Sequence, residues 1–240
     1  MAKMTLEDLV GQLRAAYGGD LRSVVLYGSA AAGEHIAKRS DYNVLVVVDS
    51  LSLEKLGAAA AVARAWLEVG NPAPMTLTTR EWRGSADVFA MEYADIFERH
   101  KILHGESPFD GIRVDLGDLR LQLEHEAMSN LLRLRQAILA AGGEGRRQVE
   151  LLEASLSTIM VIFRAVVRLH GAVPATDNVE LSRTVAEYAG FDAAPFETVV
   201  RHVRSEQRIG AADAGKVLGG YLTGMEKLVD HLDRFGQGAR

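Results

Sequence analysis

Leu26-Tyr27-Gly28-Ser29-Ala30-Ala31-Ala32-Gly33-Glu34, followed by Ser40-Asp41-Tyr42-Asn43-Val44-Leu45-Val46-Val47, is the most informative stretch of the chain. Val24 to Tyr27 is an apolar run that stops at a glycine, the pattern of a buried strand. A glycine in that place lets backbone come close to a ligand. The Ser29 hydroxyl and the backbone N–H groups after it can hold a phosphate. Gly33 lets the small, helix-compatible segment Ala30–Ala37 end or turn early. Asn43 to Val48 is apolar on both faces and predicts a central strand. Asp41 and Asn43 are two apart at its start, so their side chains are expected on one face. An aspartate beside a phosphate-holding loop can bind Mg2+ against phosphate oxygens.

The flanking segments extend the pattern. Thr5 predicts a helix N-cap with Glu7 and Asp8 in the first turn. Leu6, Leu9, Val10 and Leu13 repeat at helical spacing, and Gly18-Gly19 ends that helix. Glu54 to Val69 reads as an alanine-rich helix, broken by Asn71-Pro72-Ala73-Pro74. Met75–Thr78 reads as a third strand and Arg80–Ser85 as a short helix. Phe89–Ile96 and Lys101–His104 read as extended chain. Beyond Pro108–Gly117 the texture is wholly helical. Leu119, Leu123, Ala127, Leu131 and Leu134 form one apolar stripe, ending at Gly142-Gly143. Leu152, Ile159, Ile162, Phe163 and Val166 form a second, ending at Gly171. Shorter helices are predicted at Glu180–Ala189 and Pro195–Arg204, and a last one at Ala214–Phe235. Stripes of this width pack into a bundle. The expected class is α+β: a small mixed sheet in residues 1–115, then an all-α bundle in residues 116–240.

Composition narrows the chemistry. The chain has 240 residues, 48% of them hydrophobic and 25% charged, with a formal net charge of -5. Such a chain builds a sizeable core without covalent staples. It has no cysteine, which excludes disulfides, thiolate metal sites and cysteine nucleophiles. General nucleic-acid binding is not expected of a mildly acidic chain. The start shows no apolar run behind Lys3, so no signal peptide is expected. No stretch approaches ~18 uninterrupted apolar residues, so no membrane span is expected either. The expected setting is the cytoplasm.

Gly28-Ser29, Gly33, Ser40-Asp41 and the strand after Asn43 resemble the nucleotidyltransferase superfamily related to DNA polymerase β. Its members include aminoglycoside and minimal prokaryotic nucleotidyltransferases. The family pattern is Gly-Ser, about a dozen residues, then Asp-x-Asp or Asp-x-Glu running into an apolar strand. The resemblance implies transfer of a nucleoside monophosphate, AMP first among them, from Mg-NTP to a hydroxyl of a small molecule or protein. It implies that Gly28, Ser29, Gly33 and Ser40 hold the nucleotide and that Asp41 and Asn43 face Mg2+. It also implies that the helical half binds the acceptor, with a homodimer or a partner chain as further roles for that half. Two departures stand out. Asn43 takes the place of the second metal-binding carboxylate and brings a carbonyl oxygen without charge. The family's third carboxylate belongs on a later strand, and Met75–Thr78 has only Thr76 and Thr78 as polar positions. Glu92 or Asp95 is the expected substitute. These departures leave open a relative that binds nucleotide, or a partner, without turnover.

A rival pattern lies in the helical half. Arg164 and His170 resemble the Arg–x(4–6)–His element of HEPN-type RNases, in which a histidine exchanges protons with a ribose hydroxyl and an arginine stabilises phosphate charge. Arg168 sits in the gap. Asp87, Glu124, Glu126, His100, His104 and His125 are read as surface or structural groups. The basic run Arg133, Arg135, Arg146 and Arg147 is read as a solvated helix face.

Overall fold

The computed structural model, which describes residues 4–31 and 41–235, follows most of the elements expected above. Thr5 caps α1 (Leu6–Tyr17) in a capping box with Asp8: the Asp8 N–H donates to the Thr5 hydroxyl oxygen at 3.1 Å, and the Asp8 carboxylate accepts from the Thr5 N–H at 2.9 Å. A short 3-10 turn at Gly18–Asp20 leads into β1 (Leu21–Tyr27). Then come β2 (Asn43–Val48), α2 (Leu53–Glu68), β3 (Met75–Thr78), α3 (Thr79–Gly84), α4 (Ala90–Glu98) and β4 (His100–Gly105). The remaining chain forms α5 (Leu116–Ala141), α6 (Gly145–Leu169), α7 (Asn178–Ala189), α8 (Ala194–Val203) and α9 (Ala214–Arg234). The two compact units are Met1–Val114 and Asp115–Arg240. The class is α+β, with a small mixed sheet followed by a helical region.

The sheet order is β3-β2-β1-β4. β1 is antiparallel to both β2 and β4, whereas β2 and β3 run parallel. Parallel neighbours need a crossover, which α2 supplies. Alternation along the strands splits the first unit into two apolar layers. Val24, Leu26, Val44, Val46 and Val48 pack with Leu9 and Leu13 of α1 and Val62 and Trp66 of α2. Val25, Leu45 and Val47 pack on the other side with Trp82, Tyr93 and Ile96, joined by Tyr27, Met75 and Leu77.

Phe89–Ile96, expected to be extended, is mostly helix: Ala90–Glu98 is α4. Ala90, Tyr93 and Ile96 recur every third residue on its buried side, together with Met91. The start carries no polar cap, since Phe89 occupies the N-cap without a side-chain hydrogen bond. A helix start lacking its usual polar signal reads as a strand when aromatic residues are dense. Lys101–His104 lies in β4, as expected.

In the second unit the predicted stripes are buried: Leu119, Leu123 and Leu131 on α5, Ile159, Phe163 and Val166 on α6, and Leu218, Met225 and Leu228 on α9. Phe163, Phe191, Phe196 and Tyr221 form a chain of ring contacts with centroids between 4.3 and 6.0 Å apart. Among the described residues no helix is long and apolar enough to cross a membrane.

Candidate functional site

β1 and β2 meet where the sequence is most informative. Tyr27 pairs with Asn43 across the ladder, and on its other side with His100. Gly28 follows with φ +78°, in the left-handed region that favours glycine. A Cβ there would lie an ordinary 3.5 Å from Asn43 Nδ2, so the backbone angle rather than lack of space calls for glycine. The Ala31 N–H donates to the Gly28 carbonyl at 3.1 Å, closing a tight turn with Ser29 and Ala30 at its tip. The Gly28 N–H donates to the Arg99 carbonyl at 2.9 Å, tying this turn to the end of α4. Gly33 and Ser40, and the rest of the expected Ala30–Ala37 helix beyond Ala31, lie outside the described residues.

Asp41 is exposed, two residues before the start of β2. The Tyr42 N–H donates to Asn71 Oδ1 at 3.0 Å, and the Tyr42 ring faces Trp66 at 6.2 Å. Tyr42 therefore belongs to the α1–α2 side of the sheet. Asn43 alternates to the other side, in line with Leu45 and Val47.

Strand register explains why β3 offers no carboxylate to this face. Residues paired across neighbouring strands share a face. Leu45 pairs with Met75 and Val47 with Leu77, whereas Val46 pairs with Thr76 and Val48 with Thr78. Thr76 and Thr78 thus lie on the α1–α2 side, away from Asn43. Thr78 is also engaged as the N-cap of α3, in a capping box with Glu81.

α4 packs on the Asn43 side of the sheet through Tyr93 and Ile96, and it carries two carboxylates, Glu92 and Asp95. Glu92 and Asp95 are three apart, hence neighbours on one side of the helix. Burial first, and then the charges of Glu92 and Asp95, push the half-buried Tyr27 hydroxyl above its ordinary pKa. Sequence reasoning passed over Tyr27; its place between a buried strand and the glycine was the available signal. His100 Nδ1 lies 2.9 Å from the Ile96 carbonyl and 3.1 Å from that of Phe97, so that nitrogen, protonated, caps the C-terminal end of α4. Among the described residues no three acidic or histidine side chains gather as a metal-binding group.

No family model and no curated protein matches the sequence. Solved structures do match. A spectinomycin adenyltransferase from Enterococcus faecialis, crystallised with ATP and spectinomycin, superposes with a TM-score of 0.61. The match covers 95% of this chain and 98% of that one at 12% sequence identity. The chain has a nucleotidyltransferase-like fold. At 12% identity the likeness is one of fold.

The rival pair fares differently. Six positions along a helix turn the side chains about 120° apart, and His170 falls just past the end of α6. Its ring stacks on Tyr188 at 4.0 Å, and its Nε2 lies 3.0 Å from Nε2 of His231. One neutral imidazole can donate to another, but two protonated rings repel. Burial lowers the pKa of both histidines, and the neighbouring His231 lowers that of His170 further. Folded-state values below the ordinary 6.5 mean that the unfolded chain takes up protons more readily as pH falls. The pair's contribution is complete above that value and is lost as pH drops below it. Thermal unfolding at about pH 7.5 and about pH 5.5 should show a fall in Tm that His231→Gln reduces. An unchanged fall in the variant would mean that the acid sensitivity arises elsewhere. The basic run is paired on the surface, Arg133 with Glu126, Arg135 with Glu226, Arg146 with Glu150 and Arg147 with Glu144.

Proposed function

We propose that this chain binds a nucleoside triphosphate, ATP first among them, at the Gly28-Ser29 turn and transfers its nucleoside monophosphate to a hydroxyl of a small molecule or protein. The observation that carries the reading is the left-handed Gly28 turn set against Asn43 at the shared end of β1 and β2, within a nucleotidyltransferase-like fold. Backbone N–H groups in such a turn suit phosphate oxygens. The acceptor oxygen attacks the α-phosphorus in line, the bond to pyrophosphate breaks, and the hydroxyl proton passes to a carboxylate. Glu92 and Asp95 are the carboxylates for that last role, reaching the site from α4. Rate in such a reaction comes mainly from positioning and electrostatics. A cytoplasmic setting suits a Mg-NTP substrate.

The donor set fits Mg2+ in part. Asp41 supplies one charge and Asn43 one neutral carbonyl oxygen, a pair suited to one ion shared with a triphosphate. When bound, Mg2+ offsets charge on the phosphate oxygens. A second ion lacks its usual carboxylate at position 43, and this favours a second reading in which the chain binds nucleotide, or a partner, without turnover.

Calorimetric titration with ATP, GTP, CTP and UTP, with and without Mg2+, tests the first reading. Expected is Mg2+-dependent binding that Asp41→Ala weakens by roughly tenfold or more, about 1.4 kcal/mol. No binding by any nucleotide would defeat it. Asn43→Asp separates the two readings: metal-dependent transfer gained by this variant and absent from the native chain means that position 43 alone silences it.

A further inference from the structure

α5 is a long helix with two different apolar faces. Its inward stripe packs in the bundle, but Leu121, Met128, Leu132 and Leu139 are 69%, 43%, 49% and 82% exposed. These four are not scattered. At 3.6 residues per turn they fall within about 20° of one line along the helix, and Leu121 and Leu139 are about five turns and 27 Å apart on it. Isolated exposed leucines are ordinary, whereas four apolar residues aligned on one helix line, at steps of two turns, one turn and two turns, mark a contact surface.

The order of residues along this line says what covers it. The spacing reads the same in both directions about Asn130. Laid antiparallel on a second α5, Leu121 meets the other copy's Leu139, and Met128 meets its Leu132. Charge repeats the symmetry. Glu124 and Arg135 flank the line on one side, at nearly mirrored heights about the same centre. A two-fold axis across the pair keeps that side together, so each Glu124 faces the other copy's Arg135. On the opposite side His125 faces Gln136. A self-complementary patch of this kind is what an isologous dimer requires. Both flanking groups already hold one partner within the chain, Glu124 with Arg120 and Arg135 with Glu226. A carboxylate and a guanidinium each have capacity for a second.

We infer that α5 is the dimer interface of this protein, with two copies packed antiparallel through Leu121, Met128, Leu132 and Leu139 and locked in register by Glu124 opposite Arg135. One helix pair is a small interface, of the size found in weak and transient complexes. The inference is independent of the nucleotide site.

The chain has no cysteine, so crosslinking can be read from introduced ones alone. L121C mixed with L139C should form a disulfide-linked dimer on oxidation, while neither variant alone crosslinks efficiently, because like positions lie about 27 Å apart in the antiparallel pair. In sedimentation equilibrium the native chain should dimerise with rising concentration, and L132E should remain monomeric with an unchanged thermal melt. E124R should raise the dimer dissociation constant by about tenfold or more. E124R/R135E should recover dimerisation, although neither within-chain ion pair returns. A native chain that stays monomeric at every concentration overturns the inference and leaves the line to a partner of different sequence. A dimer indifferent to L132E, or L121C crosslinking to itself, overturns it equally.

Discussion

Replacing Trp82 by alanine should destabilise the first unit by about 3–5 kcal/mol, among the largest effects expected of any single substitution. Trp82 is 1% exposed and sits at the centre of the layer on the Asn43 side of the sheet. Its ring stacks on Tyr93 with centroids 4.1 Å apart and meets the edge of Phe109 at 6.1 Å. Its indole N–H donates to the Pro108 carbonyl at 2.8 Å, so truncation removes packing and also deprives a carbonyl of its donor. Domains are stable by only about 5–15 kcal/mol, so the loss is a large share. The chain has two tryptophans. The other, Trp66, is equally buried in the opposite layer and remains as a fluorescence probe. Denaturant unfolding followed at Trp66 should show the lowered midpoint. A loss below about 1 kcal/mol would mean that the aromatic layer is not packed as described.

Gly105→Ala should cost about 2–5 kcal/mol by a different route, strain and collision rather than a void. Gly105 has φ +82°, and a Cβ there would lie 1.8 Å from the Arg22 carbonyl oxygen. That atom belongs to the backbone of β1 and cannot rotate aside. Gly105 pairs with Ser23 at the end of β4, next to the hydrogen bond from the Ser23 hydroxyl to the Glu106 carbonyl. Relief requires β1 and β4 to part where their register already shifts, between Val24 and Val25. Amide hydrogen exchange should then rise in β4 before β2. Equal protection of the two strands in the variant would count against a local cause.

The sequence made some of this site legible because single residues carry the signal. A glycine directly after Val24–Tyr27 announces the turn, and the unbroken apolar run from Val44 to Val48 announces a central strand. The bundle helices were equally plain from their spacing. Two things were hidden. α4 begins at Ala90 behind Phe89, an N-cap without a polar side chain, so its aromatic residues imitate a strand. The face on which Thr76 and Thr78 lie depends on the pairing of Val46 with Thr76, a long-range fact that no local pattern contains. Seeking the third carboxylate on β3 was therefore reasonable from spacing, while the carboxylates we propose in its place, Glu92 and Asp95, belong to α4.

The sheet order has a consequence for how the site comes into being. Tyr27 and Asn43 are 16 positions apart in the chain, whereas Tyr27 meets His100 only after β2, α2, β3, α3 and α4 have been laid down. Closing a short loop costs less chain entropy than closing a long one. The Gly28 turn and its Asn43 neighbour are thus the half of the proposed site that costs less chain entropy, available once β1 and β2 have paired. The carboxylates of α4 arrive with the long-range pairing of β1 and β4, the contacts that slow a fold most.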